Sequence, residues 1–242
     1  MDTHYGSPAS RLVGAAPARR LSKTLKILSA GAKGGPGKTF LVKNLSAAAA
    51  SDGYNVGVVD FDEQRSLTRW LSRRSLKSPG AVGITGYEAD PLSVADAQDA
   101  LAASDHDLVL FDTPPAVSIG SPVLKTLAFG VDLVLVPSLV GITDTESAET
   151  LLRALGEWKV QTLAVVNKTK PRASRVIGLA KRRLVRYAEL APEIGEYYDY
   201  LAADEVGLGA TEIDRCVGAE DIVALWSVVK RRLGMEGGAD GR

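Results

Sequence analysis

Residues 27–39 read Ile-Leu-Ser-Ala-Gly-Ala-Lys-Gly-Gly-Pro-Gly-Lys-Thr, and these residue types in this order can bind a polyphosphate. A short apolar run leads into glycines that let the backbone curl until successive N–H groups turn toward phosphate oxygens. The alanine-rich stretch 41–50 that follows reads as a helix whose positive N-terminal end favours the same anion. In such a loop Lys38 reaches the β- and γ-phosphates and the Thr39 hydroxyl sits on Mg²⁺. Gly34, Gly35, Gly37 and Phe40 complete the expected nucleotide site around them. Pro36 has no N–H to offer, so one amide of the cradle is missing and nucleotide affinity should be lower for it.

Carboxylates follow where strands should end. Val58-Val59-Asp60-Phe61-Asp62-Glu63-Gln64 places two just past an apolar run, and Leu110-Phe111-Asp112-Thr113-Pro114-Pro115 places a third past another. A strand ending in aspartate beside a phosphate-binding loop can hold Mg²⁺ directly or through water, which gives Thr39 and Asp112 as expected metal ligands. Strand-end aspartates are also common turn caps, and that alternative stands for Asp60 and Asp62.

The strict loop pattern has glycine five residues before Gly37, where this chain has Ala32; it carries instead a second lysine, Lys33. The resulting K-G-G-x-G-K-[ST] form resembles the deviant Walker A motif of the ParA/MinD ATPases. The resemblance implies that Lys33 reaches across a dimer interface to the partner's nucleotide, and so a homodimer formed with ATP. Residues 60–70, Asp-Phe-Asp-Glu-Gln-Arg-Ser-Leu-Thr-Arg-Trp, are similar to the D-x-D-P-Q switch of ParA proteins, with Glu63 where proline is usual. The Ser-Leu-Thr-x-Trp ending resembles the small plasmid-partition ATPases, and a T-DNA-transfer accessory ATPase has a similar segment. This likeness implies that Asp62 orients or activates the attacking water, that Asp60 supports the Mg²⁺ shell, and that Gln64 belongs to the same switch. The implied catalytic set is Lys33, Lys38 and Asp62, with ATP and Mg²⁺ as cofactors. The likeness covers 25–167 well, with Pro137 and Asp144 fitting the family's layout. Asn167 sits where many relatives contact adenine, though an asparagine there could equally cap the following turn.

The elements that must hold these residues alternate along the chain. Apolar runs at 56–60, 81–85, 107–111, 131–136 and 162–166 read as short strands without period-two alternation. Helices are expected at about 66–74, at 93–104 behind a Ser93 cap, and at 143–155 behind a Thr143 cap. This rhythm predicts an α/β fold, a mostly parallel doubly wound sheet with helices on both faces, and sites at the carboxyl ends of its strands. One domain is expected over 24–234, between a flexible basic arm, 1–23, and a frayed tail, 235–242. With 45% hydrophobic and 24% charged residues the chain has material for a substantial core. No apolar run approaches the roughly 18–20 residues of a membrane span and no signal peptide is evident, so a cytoplasmic protein is expected. The single cysteine, Cys216, excludes an internal disulfide framework and makes a poor ligand set for an iron–sulfur cluster.

Formal net charge is zero, so nucleic-acid binding would need a local patch. Residues 168–186 supply one, with Lys168, Lys170, Arg172, Arg175, Lys181, Arg182, Arg183 and Arg186 and no acid among them. On a helix starting near Ser174, Arg175, Arg182 and Arg186 share a face, which suits salt-sensitive binding to DNA of any sequence. A solvated helix face is the alternative. The acidic stretch 189–214, with Tyr197, Tyr198 and Tyr200, has no function legible in it. The closing helix, 219–233, is amphipathic and basic at its end; it can pack on the core or, as in a MinD-like protein, anchor to a membrane, and the core is preferred.

The function expected is a ParA-type ATPase that binds nonspecific DNA as a dimer, on the nucleoid. Hydrolysis stimulated by a ParB-like centromere-binding adaptor would then drive plasmid or chromosome partition. The alternatives are a MinD-like positioning ATPase, the T-DNA-transfer role, a P-loop metabolic enzyme of the dethiobiotin-synthetase kind, and a nucleotide-gated DNA scaffold.

Overall fold

The computed structural model describes residues 21–102, 105–114 and 118–235. The elements run β1 (Leu25–Ser29), α1 (Lys38–Ser51), β2 (Val56–Asp60), α2 (Ser66–Lys77), β3 (Thr85–Glu88), α3 (Val94–Ala102), β4 (Leu108–Asp112) and α4 (Pro122–Gly130). They continue with β5 (Leu133–Ser138), α5 (Ile142–Glu157), β6 (Thr162–Val166), α6 (Ser174–Leu184), β7 (Glu189–Leu190), α7 (Asp199–Glu205) and α8 (Ala219–Arg232).

The seven strands form one sheet in the order β3-β2-β4-β1-β5-β6-β7. Every pairing is parallel, as the uninterrupted apolar runs predict. Successive strand residues feed opposite faces. Ile27 joins a core layer under α1, α2 and α8, while its neighbour Leu28 joins the layer under α3, α4 and α5. Strand order turns back on either side of β1 and β4, and ligands in such sheets bind above the carboxyl ends at that turning point. The register there aligns three polar residues, since Ser29 pairs with Asp112 and Asp60 pairs with Asp112.

Several boundaries differ from expectation, each for a physical reason. The third strand is Thr85–Glu88 rather than 81–85; all four of its residues are exposed, so no apolar signal marked it. Helix α5 begins at Ile142 with Gly141 as its N-cap, and Thr143 lies inside the first turn rather than capping it. Ser93 does cap α3, its hydroxyl accepting from the Asp96 N–H at 3.0 Å, although position 104 of the expected helix lies outside the described residues. Helix α4 had gone unread; Ser121 caps it and Pro122 opens it.

Positions 1–20 of the basic arm lie outside the described residues. Leu21 is docked, its N–H donating to Asp107 at 2.9 Å, and Lys23 pairs with Asp132 at 2.8 Å. Met235 is buried against the core, and 236–242 lie outside the described residues. In α8, Ile222, Leu225, Trp226 and Val229 are buried in the α1 layer. Asp52 accepts from both Trp226 Nε1 at 2.8 Å and Lys230 Nζ at 2.7 Å, so apolar stripe and basic end alike are engaged by the body of the protein. Among the described residues no helix is long and apolar enough to cross a membrane.

Candidate nucleotide site

The loop between β1 and α1 takes two backbone conformations that favour glycine, Gly35 at φ 89° and Gly37 at φ 106°. At Gly37 space excludes a side chain as well, because a Cβ would lie 2.1 Å from Asn167 Nδ2. Asn167, buried at the end of β6, donates to the Pro36 carbonyl at 2.7 Å and accepts from the Lys168 N–H at 2.9 Å. It thus clamps the loop and caps its own turn, and Pro36, which has no N–H to give, contributes through its carbonyl. Lys168 follows at φ 54°, an uncommon conformation for a side-chain-bearing residue and one that recurs at functional sites.

Lys38 opens α1 and is buried, and its Nζ donates to the Lys33 carbonyl at 3.0 Å. Burial lowers its pKa, while the charges of Asp112 and Asp62 oppose that shift. Lys33 itself lies on its own chain, donating to the Thr143 carbonyl at 2.9 Å and standing 4.0 Å from Asp144 at the start of α5.

The three aspartates are not equivalent. Asp60 is fully engaged. Its Oδ1 accepts from the Asp62 N–H at 3.0 Å, and its Oδ2 accepts from the Thr68 N–H at 3.0 Å and the Thr68 hydroxyl at 3.1 Å. Through these bonds Asp60 ties α2 to the sheet. Asp62 accepts from the Gln64 N–H at 2.9 Å and borders a cavity of about 430 Å³ with Glu63, Gln64, Thr113 and Pro114.

Asp112 is completely buried, and neither carboxylate oxygen completes a hydrogen bond among the described residues. Burial pushes its pKa up to about 7; the nearby Thr39 hydroxyl and Lys38 pull the other way, and Asp60 and Asp62 add to the rise. Two orphaned carboxylate oxygens beside a threonine hydroxyl at a phosphate loop fit Mg²⁺. That ion takes one or two protein oxygens, phosphates and water rather than a protein cage. No cluster of three or more His, Cys, Asp or Glu suited to a metal occurs among the described residues.

The raised pKa carries a prediction. The folded chain holds the Asp112 proton up to about 7 against an ordinary 3.8, so the unfolded chain releases it first. Stability from this group is full below the lower value and is lost as pH rises toward the upper one. Asp112→Asn, which cannot ionise, should remove that slope. Without Mg²⁺ or nucleotide it should melt roughly ten degrees above the wild type at about pH 8, about 4 kcal/mol, and come close to it at about pH 4. Calorimetry in EDTA at both pH values checks this, and equal melting at the higher pH would contradict it.

A cavity of about 910 Å³ adjoins the loop, bordered by Gly37, Phe40, Asn44, Asn167, Tyr197 and Tyr200. Phe40 and Tyr200 meet at a tilt with ring centroids 4.9 Å apart, and Tyr197 meets Tyr200 edge-on at 5.4 Å. Apolar and aromatic walls with a few polar groups suit a nucleoside. The tyrosines come from the acidic stretch whose role the sequence left blank, because only the fold carries it back to the loop.

The basic patch divides. Arg175 and Arg182 lie on the exposed face of α6, but α6 ends at Leu184, so Arg186 stands in the following turn rather than on the helix row. Among the described residues no ion pair or hydrogen bond engages the side chains of Arg175, Arg182 or Arg186. Lys181 pairs with Glu193 at 2.5 Å, and Arg183 meets Glu149 at 3.5 Å and Glu146 at 3.8 Å. The patch lacks acids in sequence but not in space.

Comparison with known proteins places this site in context. The model of the CobQ/CobB/MinD/ParA nucleotide binding domain matches residues 27–215. Maintenance of carboxysome distribution protein A of Halothiobacillus neapolitanus is 30% identical over 159 residues, 63% of this chain and 70% of the relative. Protein virC1 of Rhizobium rhizogenes is 33% identical over 123 residues, about half of each chain (50% and 52%). Among solved structures, a Borrelia burgdorferi B31 protein described as a plasmid partition protein, bound to AMPPNP, superposes with a TM-score of 0.66 at 16% identity. That match covers 86% of this chain and all of that one (100%).

Proposed function

The chain belongs to the CobQ/CobB/MinD/ParA nucleotide-binding family, and on that premise we propose that it is a ParA-type ATPase that dimerises around ATP and rides on nonspecific DNA. A ParB-like centromere-binding adaptor releases it by stimulating hydrolysis, and the cargo is a plasmid or chromosome. The observation that carries the ATPase reading is the meeting of Lys38, Thr39 and an Asp112 carboxylate without a partner among the described residues, under a glycine loop that also bears Lys33. The family supports nucleotide binding and a positioning role; dimer, DNA and adaptor are our reading.

In this reading the loop amides and Lys38 hold the β- and γ-phosphates, and Asn167 keeps the loop shaped for them. Thr39 and Asp112 would hold Mg²⁺, which would neutralise charge on the phosphate oxygens. Asp62, braced by the Gln64 N–H, orients the attacking water from its solvent-facing cavity. Asp60 supports that switch from the side, through Thr68 and the Asp62 backbone. The family likeness assigns Lys33 to the partner's phosphates, so it must leave Thr143 when the dimer closes.

Lys33→Ala should therefore bind ADP with nearly wild-type affinity and yet fail to form the ATP dimer. Light scattering with ATP checks this, and an ATP-dependent dimer in the variant would contradict the role given to Lys33. A second reading, positioning a protein body rather than a replicon, takes support from the carboxysome-distribution relative. The membrane alternative loses support from α8, whose apolar stripe is buried in the core.

A further inference from the structure

Helix α2 begins four residues past Asp62 and runs back along the segment that walls the nucleoside cavity. Trp70, Arg73, Arg74 and Lys77 occupy positions i, i+3, i+4 and i+7, one face of the helix. Three cations on one face ordinarily look to solvent. Here the face is turned onto residues 204–208, where five successive backbone carbonyls each accept from α2 or the residue that ends it.

Arg73 Nε donates to the Asp204 carbonyl at 2.9 Å, Lys77 Nζ to that of Glu205 at 3.0 Å and Ser78 Oγ to that of Val206 at 2.9 Å. Arg74 Nη1 donates to the Gly207 carbonyl at 3.0 Å and Trp70 Nε1 to that of Leu208 at 3.3 Å. These carbonyls lie at and just past the C-terminal end of α7, where helix carbonyls lack partners and cations complement the dipole. The approach is close enough that a Cβ on Gly207 would lie 2.1 Å from the Arg74 nitrogen.

Asp204 closes the link at side-chain level, accepting from Arg73 Nη2 at 2.8 Å and from Lys43 of α1 at 2.6 Å. Asp204 borders the nucleoside cavity, together with Tyr198, Tyr200 and Leu201 of the same segment. At its other end α2 holds the switch, for Thr68 donates twice to the Asp60 carboxylate and Arg65 donates to the Asp60 carbonyl at 2.6 Å.

We propose that Arg73 and Asp204 are positioning residues that join α7 and α2 into one body, so that a base seated against α7 fixes α2 and with it Asp60 and Asp62. The inference rests on the nucleotide-binding reading and goes beyond it. The base is then more than an affinity handle, because its presence sets the hydrolytic switch.

Hydrogen exchange with mass spectrometry on the full chain tests this, comparing segments 38–51 and 66–78. ADP should slow exchange about tenfold or more in both segments, whereas inorganic tripolyphosphate, which fills the loop without a base, should slow 38–51 alone. Arg73→Ala, a change at a partly exposed side chain, should keep ADP protection of 38–51 and lose that of 66–78. Arg73→Lys, which restores the charge facing Asp204, should recover part of it. Equal protection of 66–78 by tripolyphosphate and ADP would overturn the proposal, as would ADP protection of 66–78 surviving in Arg73→Ala. If Arg73→Ala does not fold, the wild-type contrast between the two ligands decides. Absence of protection at 38–51 with any nucleotide would remove the nucleotide reading itself, and this inference with it.

Discussion

Lys38→Ala is expected to abolish ATP binding, weakening it by about a hundredfold or more, which is roughly 2.7 kcal/mol. Two effects add. The variant loses the ammonium that makes charge-assisted bonds to the β- and γ-phosphates. It also leaves Asp112 and Asp62, whose charges act on Lys38 in the folded chain, facing the incoming anion without compensation. In a buried site those repulsions are screened far less than at the surface. Titration with a fluorescent ATP analogue measures the loss. Unchanged affinity would remove the phosphate-loop assignment and everything built on it.

The loop and the strand ends were legible because their chemistry is local. Gly35, Gly37, Lys38 and Thr39 fall within five positions, and Asp60 and Asp112 each close an apolar run, so spacing alone put them at one end of a parallel sheet. What the sequence could not reveal depends on contacts between distant segments. Asp60 and Asp112 look alike as strand-end aspartates. Only the fold distinguishes them, by giving the Asp60 carboxylate three hydrogen bonds, two of them from Thr68, and leaving that of Asp112 with none among the described residues. Tyr197 and Tyr200 read as part of an acidic surface until α7 and the turn before it are brought against Phe40. Strand β3 escaped because an edge strand with exposed residues carries no hydrophobic period. The basic run showed the same limit in reverse, since acids on α5 and just after β7 neutralise Arg183 and Lys181.

Reversing Arg175, Arg182 and Arg186 to glutamate should lower DNA affinity about a thousandfold at low salt while sparing ATP binding and the ATP dimer. These three carry no acidic partner among the described residues, so their charge is available to phosphates. They also lie on α6 and the turn after it, elements other than those of the loop and the switch. Each reversal removes a phosphate contact and adds a repulsion, and dimerisation doubles both. Single replacements should each flatten the salt dependence by roughly one unit without altering sequence preference. Electrophoretic mobility shift on the triple variant measures the effect, and wild-type binding would return the patch to a solvated helix face.

We propose that ATP assembles a dimer whose paired basic patches bind DNA of any sequence. The most direct test is a salt titration of the wild-type chain on random-sequence duplex, with ATP, with ADP and without nucleotide. Binding should need ATP, because only the dimer presents two patches at high effective concentration. It should fall with salt by a log–log slope of about −0.9 for each phosphate neutralised. Binding that is indifferent to nucleotide, or that does not weaken with salt, would contradict the account.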